Sequence, residues 1–209
     1  ILTVAGVKLL DKEMDKDHLA QWAKLKGIDL LGTGDFTHYL WLQELKSKLK
    51  PLGNGLFTYK DVNFILTTEV SNIYSKGGRG RRVHNIIFAP DFTSVDKIND
   101  ELAGCGNLSA EGRPMLGLDC VSLVEIALGV NPKCFIVPSH CWTPWYSVFG
   151  SNSGFDAIEE CFEKYTKDIY ALETGLSSDP GMNWRWSALD RFSLISNSDA
   201  HSPSRLGRE

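Results

Sequence analysis

The sequence predicts an α/β fold: a parallel sheet covered by helices, closed as a barrel rather than doubly wound. Three observations carry this. Short apolar runs of strand type alternate along the chain with segments of helical spacing. The strand runs are almost continuously apolar, as in strands buried on both faces. No Gly-rich dinucleotide fingerprint opens a helix, which favours a barrel over an open nucleotide-binding sheet.

In chain order, strands are expected at 27–36 ("GIDLLGTGDF"), 63–71 ("NFILTTEVS"), 82–90 ("RVHNIIFAP"), 133–140 ("KCFIVPSH"), 169–175 ("IYALETG") and 192–201 ("FSLISNSDAH"). Helices are expected at 15–27, 40–50, 94–104, 119–129, 154–165 and 183–192. Ser94, Asp119 and Asp156 are helix-start residues, and Gly27 and Gly129 are stops. The Gly-rich, basic "SKGGRGRR" at 75–82 reads as a mobile loop or hairpin between two strands.

The 209 residues suit one domain over 1–209, and 43% hydrophobic content is enough for a sizeable core. A net charge of −4 argues against a charge-driven, non-specific nucleic-acid coat but leaves room for a local basic patch. No apolar run reaches the roughly 18 residues of a membrane helix. "ILTVAGVKLL" lacks the basic start and cleavage site of a signal peptide. Five scattered cysteines without a CxxC fit a reducing compartment, so the expected location is cytoplasmic.

Barrel chemistry sits where strands run out into loops, and the strand ends here are rich in metal ligands. Asp35 ends the first strand, with His38 three residues on. Glu69 lies near the end of the second, His84 in the third, and His140 ends "FIVPSH". Asp199 and His201, two apart, would point the same way from the tip of the last strand. Of the five histidines, His18 alone lies in a charged, helix-like segment. Buried ionisable groups are costly unless paired or metal-bound. Mixed His and carboxylate ligands without Cys point to Zn, Mn or Fe. Several ligands around one cavity suggest two or three ions bridged by Glu69, a cluster suited to phosphoester hydrolysis.

Lys76, Arg79, Arg81 and Arg82 lie between the strands bearing Glu69 and His84, where they would grip phosphates at the cavity mouth. Arg205 and Arg208 would add to that face. Trp142 and Trp145 follow His140 and would stack on an exposed base. Trp184 and Trp186, two apart, cannot share a helix face, and Glu173 ends a strand as a supporting or general-base group.

The segments "KGIDLLGTGDFTH", "FILTTEVSNIYSKGGRGRRVHNIIFAPD", "VPSHCWTPWYSVFGSNSGFD", "ALETGLSSDPGMNWRWSALD" and "ISNSDAHSPSRLGRE" resemble the polymerase-and-histidinol-phosphatase (PHP) superfamily of metal-dependent phosphoesterases, nearest its endonuclease Q branch. The resemblance covers roughly residues 12–209. It implies a distorted (β/α)7 barrel binding up to three divalent ions, usually Zn or Mn, with Fe or Mg as alternatives. It places Asp35, His38, Glu69, His84, His140, Asp199 and His201 as metal ligands, with Glu69, His140 and Asp199 catalytic. It also implies a DNA-repair nuclease cutting the backbone beside deaminated bases or abasic sites, whose flipped base would meet Trp142 and Trp145.

Two departures stand out. The family opens with a strand ending in Asp-x-His-x-His, but "ILTVAGVKLLDKEMD" holds no histidine, so fewer than three ions are expected. The chain also ends before segments expected to help hold DNA. The alternative readings are a catalytically impaired metal- or nucleic-acid-binding barrel and a phosphatase on a small phosphate ester. Oligomeric state is left open.

Overall fold

The computed structural model describes residues 16–110 and 112–208. Its elements run α1 (Lys16–Leu25), β1 (Leu30–Gly32), α2 (Tyr39–Lys48), β2 (Lys50–Gly53), β3 (Leu56–Tyr59), β4 (Val62–Lys76), β5 (Arg79–Ala89), α3 (Phe92–Leu102), β6 (Met115–Leu116), α4 (Cys120–Val130), β7 (Phe135–Pro138), α5 (Ile158–Phe162), β8 (Ala171–Glu173), α6 (Pro180–Asn183) and β9 (Ser193–Ile195). Each of the expected strands and helices has a counterpart, while β2, β3 and β6 lay outside the sequence reading.

The expectation of a parallel sheet needs correction. Seven strands form one sheet in which β2–β3, β3–β4, β4–β5 and β5–β7 pair antiparallel. Among the described residues, parallel pairing is confined to β1–β4, β4–β6 and the separate β8–β9 pair. The cause is local: antiparallel strands need only a tight turn, whereas parallel ones need a long crossover. The "SKGGRGRR" segment is mostly strand. Its turn is Gly77-Gly78, with φ of 62° and 72°, the left-handed pair that a two-residue hairpin matching the strand twist requires. Among the described residues, strand pairing does not close the sheet into a ring.

Helix starts follow capping chemistry. The Asp91 and Asp119 carboxylates accept the Ser94 and Ser122 backbone N–H at 2.7 Å each, so Asp91 rather than Ser94 caps α3. Such a cap stabilises by about 1 kcal/mol. The last expected helix, 183–192, starts earlier and ends sooner. Asp179 caps Met182 N–H with Pro180 in the first turn, and the chain then continues as a short 3₁₀ turn at Ser187–Leu189. Ala157 stands before α5 where Asp156 was expected, and Gly129 lies inside α4.

Alternation along β4 and β5 separates two environments. Val83, Ile87 and Ala89 join the main core with Leu19, Ala23, Val95, Ile98 and Leu123 from the helices. On the opposite face Ile86 and Phe88 pack with Val137, Ile65, Phe135, Ala171 and Ile195, and Phe88 stacks on Phe135 at 4.3 Å. That face carries His84 next along β5, so a buried apolar plug lies beside a polar cluster. No described helix is long and apolar enough to cross a membrane.

Candidate metal centre

Register sets the first two ligands. Glu69 pairs with Ile86 and Ser71 with His84, so Glu69 and His84 are diagonal neighbours on one face of an antiparallel ladder. His140 follows β7, where Ser139 N–H donates to the His84 carbonyl at 3.0 Å. His84 Nδ1 lies 3.0 Å from His140 Nε2 and 3.5 Å from Glu69 Oε1. Donor atoms from Glu69, His84 and His140 fall within 4.8 Å of one another, all three residues being buried. Glu69 Oε1 accepts no hydrogen bond among the described residues.

These residues fit a divalent ion. Two nitrogens bound at about 2.0–2.1 Å stand roughly 3–3.4 Å apart for ordinary bond angles, close to the separation of the two imidazoles. Burial pushes the His84 imidazole down to about 3, and it lowers His140 as well, so both are neutral and able to offer lone pairs. Burial alone would raise the Glu69 carboxyl, but Arg113 and then the histidines outweigh it and hold it at about 2. The centre is thus a buried carboxylate beside two buried, neutral imidazoles.

The strand ends turn in an unusual way. Asp35, His140 and Asp199 have φ of 40°, 30° and 44°, a left-handed conformation uncommon in non-glycine residues and concentrated at functional sites. Asp35 is buried, and Gly34 N–H donates to Thr67 Oγ1 at 2.9 Å, tying the loop after β1 to β4. His38 lies at the start of α2, with its Nδ1 buried and making no hydrogen bond among the described residues. Neither Asp35 nor His38 joins the three-residue group. His201 is exposed and its Nδ1 meets the Asp199 carbonyl at 2.9 Å. The common direction expected of Asp199 and His201 fails because β9 ends at Ile195 and Asp199 sits in a turn. The segment 1–15, where a first ligand motif would fall, lies outside the described residues.

Two groups extend the cluster. Glu173 ends β8, and its Oε2 accepts the His140 N–H at 2.8 Å. Burial, then the charge of Glu69, pushes its carboxyl up to about 8. Arg113 went unnoticed in the sequence. Its Nε lies 2.7 Å from Glu69 Oε2, and it also pairs with Asp199. Pro114 follows Arg113 and leads into β6, which docks on β4.

The basic hairpin divides into tied and outward-facing residues. Lys76 pairs with Glu163 at 2.5 Å, and Arg81 donates to the Gly154 carbonyl and lies over the Phe155 ring. Arg79 and Arg82 are exposed, with Arg82 5.1 Å from the Trp145 ring. Trp145 is 48% exposed, and its neighbour Tyr146 packs on His84 at 4.6 Å, so this surface is continuous with the cluster. Trp142 instead packs with Phe149 and Trp186 and donates to Asn183 Oδ1 at 2.9 Å. Trp184 is exposed, as are Arg205 and Arg208, and Arg208 Nη2 lies 4.0 Å from Asp199. His18 lies in α1.

No family model matches the chain. The crystal structure of the lesion-specific endonuclease PfuEndoQ from Pyrococcus furiosus matches with a TM-score of 0.85 at 33% identity, over 99% of this chain and 50% of that one. A structure of Endonuclease Q with a 27-mer duplex substrate bearing an abasic lesion at the active site matches at 0.86, with the same identity and coverage. A Bifidobacterium adolescentis protein described as a metal-dependent phosphoesterase shares the fold alone, at a TM-score of 0.54 and 11% identity over 91% of this chain and 85% of that one. Two curated but uncharacterized proteins are also similar. YqxK of Bacillus subtilis is 28% identical over 91% of this chain and 49% of its own length. MJ0043 of Methanocaldococcus jannaschii is 32% identical over 64% of this chain and 14% of its own. The chain spans about half or less of the endonuclease Q and curated relatives.

Proposed function

We propose that this chain, similar to endonuclease Q over 99% of its length, hydrolyses the DNA backbone beside deaminated bases or abasic sites with the aid of a divalent ion. The observation that carries the reading is the buried convergence of Glu69, His84 and His140. These three would hold Zn or Mn, which when bound activates water and polarises a phosphoryl oxygen.

The chain's own residues do the rest. Glu173 orients His140 through its backbone N–H and keeps a proton at neutral pH, so it is placed to exchange that proton beside the centre. Asp199 adds a second carboxylate beside the centre, paired with Arg113, and Asp35, His38 and His201 stand on neighbouring loops that would border the substrate. Arg79 and Arg82 meet phosphates, and Trp145 stacks on a base displaced from the duplex. Trp142 supports that surface from beneath, Lys76 and Arg81 hold the hairpin in place, and Arg205 extends the basic face. On this reading the seven-stranded sheet and the β8–β9 pair would belong to a distorted (β/α)7 barrel, in one domain over 1–209. Five unpaired cysteines suit a reducing, cytoplasmic setting.

The test is nicking of a labelled duplex carrying one abasic site or one deoxyuridine, with Mn or Zn and then with chelator. Metal-dependent nicking at the lesion, absent on undamaged duplex, is the expected result. Binding without nicking would favour an impaired nucleic-acid-binding barrel. Hydrolysis of small phosphate esters alone would favour a phosphatase.

A further inference from the structure

Glu69 turns its two oxygens toward different neighbours. Oε1 faces His84 and His140 at 3.5 and 4.0 Å, while Oε2 lies 2.7 Å from the Arg113 guanidinium. Arg113 also pairs with Asp199, whose other oxygen has Arg208 at 4.0 Å. A carboxylate bridging two cations presents one oxygen to each, as in two-metal hydrolytic centres with ions roughly 3.5–4 Å apart. Here one side is lined by imidazoles and the other is filled by a side chain.

The backbone fixes that side chain in place. Pro114 O accepts the Ser71 N–H at 2.9 Å, and β6 pairs with β4 from Ser71 onward, two residues past Glu69. Arg113, just ahead of β6, therefore reaches Glu69 from the neighbouring strand and is only 19% exposed. Buried ion pairs add little net stability, so packing alone does not explain why two carboxylates converge on one guanidinium.

We propose that Arg113 is the second cation of this centre. Its guanidinium takes the place of a metal ion between Glu69 Oε2 and Asp199, so the chain binds one ion, at Glu69 Oε1, His84 and His140. The inference rests on the reading of those three residues as ligands. A guanidinium in that position keeps a permanent positive charge, with fixed donors suited to a phosphate oxygen, at no cost in metal occupancy.

Manganese titration followed by electron paramagnetic resonance tests this on the whole chain. Wild type should bind one Mn per chain and give the hyperfine pattern of an isolated ion. Arg113→Gln should take up a second ion roughly tenfold or more tightly than wild type does, with the signal of an exchange-coupled pair. Its metal-free melting temperature should fall, and its rise on adding Mn should grow. Arg113→Lys, which keeps the charge, should remain at one ion. A coupled pair in wild type, or unchanged stoichiometry in Arg113→Gln, overturns the role of Arg113. The wild-type spectrum decides by itself if the Gln variant does not fold. No bound ion in wild type would defeat the ligand reading itself.

Discussion

Glu173 offers a perturbation whose size follows from the structure. It is 3% exposed, and burial with the charge of Glu69 pushes its carboxyl from an ordinary 4.5 up to about 8. The unfolded chain releases this proton above pH 4.5, whereas the native state keeps it until about 8. The native state therefore binds the extra proton throughout that window, and stability is lost as pH rises through it. At pH 7 the gap is about two and a half pH units at about 1.4 kcal/mol each, a penalty on the order of 3 kcal/mol. Glu173→Gln removes the titration and retains an oxygen to accept the His140 N–H. In urea melts of chelator-treated protein, the variant should match wild type near pH 4.5. Its advantage should grow to roughly 3 kcal/mol at pH 7. A pH-independent difference, or a variant destabilised at pH 7, would refute the reasoning.

Three further outcomes are expected. His140→Ala should reduce metal-dependent hydrolysis to background while circular dichroism shows the fold retained; full activity would remove His140 from the centre. Because burial holds the His84 imidazole at about 3, the unfolded chain binds more protons than the native one below about pH 6.5. His84 should thus make the chelated protein lose stability as pH falls from 6.5 toward 3, and His84→Gln should reduce that slope in acid melts. Arg82→Ala should lower the salt dependence of duplex binding by about one unit of slope, whereas Lys76→Ala should leave it nearly unchanged because Lys76 is engaged by Glu163.

The strands and most helices were legible because apolar runs and Gly or Asp punctuation are local signals. Strand direction was not, because it depends on two-residue turns such as Gly77-Gly78 and on β4. At fifteen residues, β4 pairs with β1 and β3 along one part and with β5 and β6 along the other. The histidines and carboxylates at strand ends were legible as a set, since polar residues ending apolar runs are rare without a purpose. Which of them meet was not. Asp199 and His201 look like a pair by strand alternation, yet a left-handed turn at Asp199 sends it toward Arg113 and leaves His201 exposed. The "KGGRGRR" charges looked equivalent in sequence, but contacts with Glu163, Gly154 and Phe155 occupy two of them. Arg113 had no local pattern to mark it, because only the β4–β6 pairing brings it to Glu69.

The most direct test of the central claim is anomalous scattering at the Mn or Zn edge from crystals grown with that metal. The account predicts a peak within roughly 2.0–2.3 Å of Glu69 Oε1, His84 Nδ1 and His140 Nε2. No peak there, or a tightly bound ion held by other residues, would contradict it.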